Sequence, residues 1–401
     1  MSIYQLVGRE QHYAWGGESY IPTLLGLDNP TAQPYAEWWL GSHPSAPSMV
    51  VLAEGEQPLT TFLAQYPQLL GEKSAVQFGK DLPYLLKILD VAKPLSIQLH
   101  PTKAQAEKGF LAENEKGISL DDPKRTYKDR NHKPEMMIAL SDFWLLHGFK
   151  PKTAILATLK ARPSLVELAE KLASHTIAEF YAQIMQAEQG QLAAWLLPIV
   201  EANQQAYAEQ RLTLDNPDYW LLYTMESMSI SAQQLDAGLL CFYLFNLVHL
   251  KEGEGIFQDA GIPHAYLRGQ NIELMACSDN VIRGGLTPKH VDIPELLKVV
   301  DCREVVPEII AKMDNNTSVL TYSTPANDFA LTNITYQPHQ QHAFQSQSAE
   351  IVLVMQGEIK ISHKQTALFL KKGESALIGS GADYQIEGIQ AGYCVVAKLP
   401  E

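Results

Sequence analysis

The chain has 401 residues, of which 46% are hydrophobic and 19% charged, and its formal net charge is −14. This length allows two or three domains with buried cores, and the acidic charge argues against nucleic acid and anionic membranes as partners. Apolar runs stay below the roughly 18 residues of a membrane span, and the N-terminal residues lack the basic and apolar regions of a signal peptide.

The four cysteines are scattered along the chain and show no Cys-x-x-Cys spacing. We therefore expect reduced thiols in a cytoplasmic protein rather than a disulfide framework or a thiolate zinc site. A metal bound by this chain must then take imidazole, carboxylate and amide ligands.

Residues 1–95 consist of short apolar segments broken by Gly and Pro, which predicts a mixed region, mostly strand with one or two helices. The segment that follows, 94–101, is Pro-Leu-Ser-Ile-Gln-Leu-His-Pro, and we interpret it as a strand. Side chains alternate along a strand, so Ser96, Gln98 and His100 point to one face and the leucines and isoleucine point to a core. Gln98 and His100 supply half of a candidate metal site.

Residues 101–133 are polar and rich in Lys, Glu and Asp. A connection of this length suggests either a functional loop or lid, or a mobile surface insertion. It ends in the sequence Asn-His-Lys-Pro-Glu-Met at 131–136, where Glu135 is a second candidate ligand. A third is His264, which follows Gly-Ile-Pro at 261–263.

Residues 151–234 are dominated by Ala, Gln, Leu and Glu, and we predict an all-helical insertion there. The sequence Ser-Leu-Val-Glu at 164–167 matches a capping box, and Asn216-Pro217 predicts a helix with Pro at its first position. Strand character returns at Leu239–Leu250. A short helix is predicted from Asp292, and short strands are predicted from about residue 317 to the end.

A spacing of glycines occurs twice in the chain. Gly253 precedes His264 by the same interval that separates Gly373 from Tyr384, with a glycine-containing turn at the same place in each. This resembles the second motif of cupins, in which a turn presents a His to a metal inside a small β-barrel. Glu350 also keeps the family's distance to a following glycine, but no His-x-His precedes it. The repeat suggests a pair of jelly-roll β-sandwiches with metal ligands in one of them.

The four candidate ligands, Gln98, His100, Glu135 and His264, are of mixed type. Two imidazoles and one carboxylate match the triad of non-haem iron sites, and the amide oxygen would complete a set of four ligands that zinc accepts. Spacing alone does not choose between zinc, iron and manganese.

The segment 271–290 contains a second group of polar candidates. Arg283 precedes Gly284 and Gly285, which allow close approach of backbone and ligand, and an Arg held there can bind an anionic oxygen with two hydrogen bonds. Glu273 and Lys289 also lie in this segment. A surface ion pair is the alternative for Arg283, and a solvated position for the other two.

The segments 96–101, 131–136, 263–267 and 278–289 occur in the order and with the residues of type I mannose-6-phosphate isomerases, and the chain resembles that family from Trp15 to at least His290. The run Ser-Asp-Asn-Val-Ile-Arg-Gly-Gly-Leu-Thr-Pro-Lys at 278–289 is the most specific of the four. The resemblance implies one zinc ion per chain, bound by the residues Gln98, His100, Glu135 and His264.

The reaction implied by the resemblance interconverts mannose 6-phosphate and fructose 6-phosphate through a cis-enediol. Arg283 would be catalytic, and the general base would be Glu273 or Lys133, between which the sequence does not choose. Further residues would orient the substrate, relay protons or bind its phosphate: Ser96, Lys87, Asp279, His132 and Lys289.

The resemblance also implies a mainly β fold. We expect a catalytic cupin domain from residues 1–150 and 235–315, an all-helical insertion at 151–234, and a C-terminal cupin-like domain without metal ligands at 316–401. The expected partner is a hexose 6-phosphate, and the expected state is a monomer or a weak homodimer.

Three other functions stay open from the sequence. They are an Fe(II)-dependent cupin dioxygenase, a non-catalytic sugar-phosphate-binding or regulatory cupin, and a metal-free isomerase. The lack of a basic DNA-binding segment argues against a regulator of transcription. A metal-free isomerase is disfavoured because it would leave the candidate ligand set without a role.

Overall fold

The computed structural model of the chain describes residues 2–311 and 317–400. Its strands are β1 (Ile3–Val7), β2 (Arg9–Gln11), β3 (Glu37–Leu40), β4 (Met49–Leu52), β5 (Gly55–Pro58), β6 (Tyr84–Val91), β7 (Gln98–Leu99), β8 (Glu135–Ala139), β9 (Phe143–Phe149), β10 (Phe245–Leu250), β11 (Gly255–Gln258), β12 (His264–Ala276), β13 (Ile282–Arg283), β14 (Val319–Tyr322), β15 (Ala330–Tyr336), β16 (Gln341–Gln345), β17 (Glu350–His363), β18 (Thr366–Lys371), β19 (Ser375–Ile378) and β20 (Asp383–Lys398). Its α-helices are α1 (Tyr20–Leu25), α2 (Leu59–Gln65), α3 (Glu72–Phe78), α4 (Lys103–Glu115), α5 (Lys152–Lys160), α6 (Val166–Ser174), α7 (Ile177–Met185), α8 (Gln189–Ala208), α9 (Pro217–Ser227), α10 (Cys241–Leu244) and α11 (Ile293–Val299).

The first sheet carries the predicted metal ligands. Its strand order is β10-β9-β12-β6-β3-β2, and two further pairs, β8 with β11 and β7 with β13, both join β12. β12 is therefore the central strand, with antiparallel partners β6, β7, β8 and β9. Because β12 is long, its first residues lie beside β7 and β9 and its last residues lie beside β6 and β8.

The second sheet has the order β14-β15-β20-β17-β19-β1-β4-β5, with β16 beside β20 and β18 beside β17. It contains strands from both ends of the chain, because β1 pairs with β19 and places Ile3 opposite Ile378. One buried cluster joins the two sheets, since Leu86 of the first sheet shares it with Ile351 of the second. The sheets therefore form one packed body.

The predicted helical insertion is present as α5 to α9. Its core includes Phe180 and Trp220, and the same cluster contains Ile97 and Leu99 from the segment around β7. The insertion thus covers the apolar side of the segment that carries Gln98 and His100. As predicted, α9 begins at Pro217, and the Asn216 side chain caps it by accepting a hydrogen bond from the Asp218 N–H.

The capping box predicted at Ser164 is wrong. The Ser164 hydroxyl donates to the carbonyl of Trp195 at 2.7 Å, and a 3-10 turn, Pro163–Leu165, fills the position where the helix start was expected. Helix α6 begins one residue later, at Val166, without a side-chain cap. A tertiary contact has therefore replaced the local one that the sequence suggested.

The polar connection 101–133 contains helix α4, which the sequence analysis did not predict. Thr102 and Gln105 form a complete capping box at its start, but only Ala106 and Gly109 are buried along it, so the apolar periodicity of a helix is absent. Segment 239–244, predicted as strand, is also helical: a 3-10 turn runs into α10. All its residues are buried, and a uniformly apolar run does not distinguish a helix from a strand.

The predicted strand at 94–101 is shorter than expected, since only Gln98–Leu99 is assigned as β7. Its alternation is nevertheless present, because Ile97 and Leu99 are 0% exposed, whereas Ser96 and Gln98 are partly exposed. The Ile97 backbone continues the pairing through hydrogen bonds with Gly284 and Gly285.

The mainly β fold with a helical insertion is confirmed. The domain limits stay a prediction, and β1, β4 and β5 lie in the sheet formed mostly by the C-terminal strands. The described part of the chain contains no helix long and apolar enough to cross a membrane.

Candidate metal centre

Three predicted ligands converge at the ends of neighbouring strands. His100 directly follows β7, Glu135 is the first residue of β8, and His264 is the first residue of β12. Their ligand atoms all lie within 4.8 Å of one another, and none of the three residues is more than 1% exposed.

Hydrogen bonds fix which nitrogen each histidine presents to the centre. His100 Nδ1 lies 2.8 Å from the carbonyl oxygen of Asn280, and His264 Nδ1 lies 3.0 Å from that of Ile262. A carbonyl only accepts, so Nδ1 carries the proton in both rings, and a neutral ring with this tautomer presents the lone pair of Nε2. This is the arrangement of a metal-binding histidine.

The atoms that meet at the centre are all acceptors. His100 Nε2 lies 3.3 Å from Glu135 Oε1, and His264 Nε2 lies 3.3 Å from Glu135 Oε2. Both Nε2 atoms and Oε2 are buried without a hydrogen-bond partner among the described residues. Burial lowers the pKa of His100 to about 4, so its ring is neutral near pH 7. Lone pairs this close repel one another unless a cation lies between them.

The Glu135 carboxylate is ionised. Burial alone would raise its pKa, but contact with the His100 imidazole and the positive charge of Lys133 leave the pKa of Glu135 well below its usual range. Lys133 contributes directly, since its Nζ lies 3.2 Å from Glu135 Oε1. The centre therefore offers one carboxylate and two imidazole groups.

Gln98 lies between two other predicted site residues. It is opposite His264 on β12 and opposite Arg283 on β13, and residues directly opposite in antiparallel strands project to the same face. The three side chains thus share one face of the sheet. The role of Gln98 as a fourth ligand stays a prediction.

A β-bulge in β12 turns the side chains of His264 and Glu273 to the same face of the sheet. The pairing of β12 with β9 shifts between Tyr266 and Arg268, which inserts one extra residue. Without it, His264 and Glu273, nine positions apart, would project to opposite faces. With it, both face the side on which Glu135 lies, because Glu273 is opposite Met137, two residues beyond Glu135.

Beside the centre lies a buried group of charges. Lys87 Nζ lies 3.2 Å from Glu273 Oε1 and 3.4 Å from Glu37 Oε2, and it lies over the ring of Trp39. Burial lowers the pKa of Lys87, but Glu37 and Glu273 outweigh this effect and raise it above its usual range. Burial also raises the pKa of Glu273.

Arg283 differs from these lysines. It is partly exposed, and within the described residues no carboxylate forms a salt bridge with it, whereas Lys87 contacts two carboxylates and Lys133 contacts one. A cation without a protein counter-ion at the edge of an acidic site is placed to bind a ligand oxygen.

The remaining predicted residues lie in loops. Asp279, largely exposed, lies 3.1 Å from His43 Nε2, and His132 pairs with the buried Asp328 at 2.9 Å. Lys289 is exposed and Ser96 partly exposed.

Sequence reasoning missed Glu37, Trp39 and Asn280 as parts of the site. Glu37 and Trp39 come from β3, which pairs with β6 and places Trp39 opposite Lys87. The sequence shows only a glutamate beside two tryptophans in a predicted strand. This pattern does not reveal that the partner of Glu37 is Lys87, fifty positions further along the chain. The Asn280 signal was its place in the specific run 278–289.

The C-terminal repeat is built differently. Tyr384 occupies the position of His264, and its hydroxyl donates to Glu350 Oε2 at 2.6 Å. Among the described residues, the one group of His, Cys, Asp and Glu able to hold a metal is His100, Glu135 and His264.

Comparison with known protein families gives two matches. Residues 3–152 match the model of the phosphomannose isomerase type I catalytic domain, and residues 318–397 match that of the mannose-6-phosphate isomerase cupin domain. The second match confirms the cupin prediction for the C-terminal repeat.

Similar proteins cover nearly the whole chain. The mannose-6-phosphate isomerase of Escherichia coli (strain K12) is 35% identical over 94% of this chain and 95% of its own length, and that of Homo sapiens is 31% identical over 96% and 95%. The crystal structure of mannose 6-phosphate isomerase from Salmonella typhimurium bound to substrate (f6p) and zinc superposes with a TM-score of 0.86, at 31% identity, with both chains covered completely.

Proposed function

Because this chain belongs to the type I phosphomannose isomerase family, we propose that it interconverts mannose 6-phosphate and fructose 6-phosphate with one bound zinc ion. The observation that carries the proposal is the convergence of three buried acceptor atoms with no donor between them. The similarity to isomerases over almost the full chain supports the reaction.

The residues present fit zinc. Imidazole nitrogen and carboxylate oxygen are zinc ligands, and His100, Glu135 and His264 present both types in one buried group. Gln98 would add an amide oxygen, which is supported by its place opposite His264. The predicted iron triad uses the same three side chains, so reloading the protein with different metals is needed to distinguish zinc from iron.

The reaction moves a proton between C1 and C2 of the open-chain sugar through a cis-enediol. A bound zinc ion would supply Lewis-acid stabilisation of charge on the sugar oxygens. We assign to Arg283 a second positive charge for the same oxygens, because it has no counter-ion among the described residues. Lys133 differs, because its charge is balanced by the carboxylate of Glu135.

We assign the general base to Glu273. A base must accept a proton, and Glu37 and Glu273 raise the pKa of Lys87 above its usual range. The Nζ atom of Lys133 is occupied by a contact with Glu135. Burial raises the pKa of Glu273, which makes its carboxylate a stronger base than a solvated one. It also faces the side of the sheet on which Glu135 lies.

The sugar phosphate needs cations and hydroxyls away from the metal. Lys289 and Ser96 are accessible, and Ser96 precedes Ile97, whose backbone is hydrogen-bonded to the loop after Arg283. We assign phosphate binding to these two residues. Lys87 is enclosed by two carboxylates, so we assign it to balancing their charge.

Two further residues are placed at the loops around the centre. We assign Asp279 and His132 to orienting the loops that border the substrate, since each is already paired with another side chain. A cytoplasmic location is supported by the four free cysteines, which suit a reducing compartment.

The proposal is tested by a coupled assay for fructose 6-phosphate formed from mannose 6-phosphate. The full chain is assayed loaded with zinc, stripped with EDTA, and reloaded with Zn²⁺, Mn²⁺ or Fe²⁺. We expect loss of turnover on stripping and recovery with Zn²⁺. Full turnover in metal-free protein overturns the role of zinc. Zinc bound without turnover overturns the isomerase, and oxygen uptake with Fe²⁺ would then support the dioxygenase.

A further inference from the structure

Asn280 lies in the most specific run of the sequence but is not a predicted metal ligand. It is 0% exposed, and its backbone carbonyl accepts the hydrogen bond from His100 Nδ1 at 2.8 Å. The position of this one carbonyl therefore sets the orientation of the His100 ring. What holds Asn280 in place also holds a side chain of the centre.

The Asn280 side chain is fully occupied with the backbone of another segment. Its Oδ1 accepts from the N–H groups of Lys128 and Asp129 at 2.7 and 3.1 Å. Its Nδ2 donates to the carbonyls of Asp129 and Asn131 at 2.9 and 2.8 Å. A buried amide satisfied on both atoms fixes the distance between the two segments it joins.

Asp129 completes the connection from the other side. Its Oδ1 accepts from the Ser278 hydroxyl at 2.9 Å and from the Asn131 N–H at 2.8 Å. Its Oδ2 accepts from the Asp279 N–H at 2.8 Å. The carboxylate thus binds the loop that contains Asn280, and the two side chains hold the same pair of segments together.

The segment held by this pair leads directly to a second ligand. Four positions separate Asn131 from Glu135, and between them the Pro134 carbonyl accepts from the Ala276 N–H at 3.1 Å. The Asn280 carbonyl therefore orients His100. The segment that Asn280 and Asp129 hold leads into β8, whose first residue is Glu135.

We propose that Asn280 and Asp129 are positioning residues that set the relative placement of His100 and Glu135, so that zinc affinity depends on this pair. The inference rests on the proposed function, since it takes zinc to be the ion bound. Groups that orient metal ligands typically contribute 10- to 100-fold to metal affinity.

The test measures the zinc dissociation constant of the full chain by competition with a chromogenic chelator at fixed pH. In Asn280→Asp a charged oxygen replaces the Nδ2 donor and faces two carbonyls. We expect zinc affinity to fall about 10- to 100-fold and turnover to recover when zinc is raised above the new dissociation constant. A loss of stability alone would not be reversed by zinc in this way.

The matched control is Asn29→Asp. Asn29 also accepts from a backbone N–H, that of Gln33, and donates to two carbonyls, those of Glu18 and Gln33, but it contacts none of the three ligands. We expect its zinc affinity to stay within about twofold of the parent chain, well inside the 10-fold lower bound expected for the positioning pair.

Zinc affinity unchanged in folded Asn280→Asp, or an equal loss in the control, overturns the inference. If Asn280→Asp does not fold, Asp129→Asn decides in the same assay: weaker zinc binding supports the positioning role, and unchanged binding overturns it. A parent chain that binds no zinc overturns the proposed function as well, so the two failures are distinct.

Discussion

The basic residues around the centre differ in whether a carboxylate of the protein balances their positive charge. Lys87 lies between Glu37 and Glu273, and Lys133 contacts Glu135, so the positive charge of each is balanced within the protein. Arg283 has no such partner among the described residues. A charge held ready for a ligand should matter in turnover more than in folding.

Replacing Arg283 by Ala should therefore lower kcat by roughly 100- to 1,000-fold, the usual effect of removing a preorganised group that stabilises developing charge. Zinc content and the melting temperature should change little. Steady-state kinetics on zinc-loaded protein provide the measurement. Arg211→Ala, which removes an exposed Arg paired with Glu209, is the control. A near-normal kcat in Arg283→Ala would remove this residue from the chemistry.

At the scale of elements, β12 organises the site, because it carries His264 at one end and Glu273 near the other. The bulge between Tyr266 and Arg268 turns both side chains to one face. The sequence showed these residues as candidates, but not that they share a face, since strict alternation over nine positions predicts the opposite. A bulge is a feature of pairing and has no clear sequence signal.

If Glu273 on β12 is the general base, the rate of the reaction should depend on pH. A base works only when ionised, and burial raises the pKa of Glu273, so kcat/KM should fall as the pH drops through a value above the ordinary range of Glu, about 4.3. In Glu273→Gln, kcat/KM should fall about 100- to 10,000-fold and this acid limb should disappear.

The profile is measured with zinc content checked at each pH, because acid also releases metal by protonating its ligands. If Glu273→Gln keeps both its rate and its acid limb, the base is elsewhere, and Lys133 becomes the residue to replace.

At the scale of the whole molecule, the two repeats share the same glycine spacing but carry different side chains at its end. One presents His264 to the centre, and the other places Tyr384 against Glu350. This difference was readable from the sequence, because the residue at the end of the glycine spacing is visible there. The packing of the two sheets on one core could not be predicted from the sequence. It depends on residues far apart in the chain, such as Leu86 and Ile351, which lie in the same buried cluster.

The contrast between the repeats gives a paired prediction. His264→Ala should abolish zinc binding, whereas Tyr384→Phe should leave zinc content unchanged. Loss of the hydroxyl that donates to buried Glu350 should instead lower stability by about 1–3 kcal/mol. Metal analysis after dialysis and thermal unfolding separate the two effects. Equal zinc loss in both variants would contradict the assignment of a single metal-binding repeat.

What the sequence predicted correctly shares a physical basis. The grouping of His100, Glu135 and His264, the helix that begins at Pro217 and the helical insertion are all signalled by residue type and local sequence patterns. What it missed depends on distant partners: Ser164 bonds to Trp195 instead of capping, and α4 is a polar helix with almost no buried face.

The pairing of β1 with β19 has a consequence for synthesis. Ile3 is synthesised 375 residues before its partner Ile378. At 5–20 residues per second this interval is on the order of 20 to 75 s. During it, the edge of β1 that pairs with β19 has no partner in the nascent chain, so the second sheet closes only after residue 378 has been synthesised.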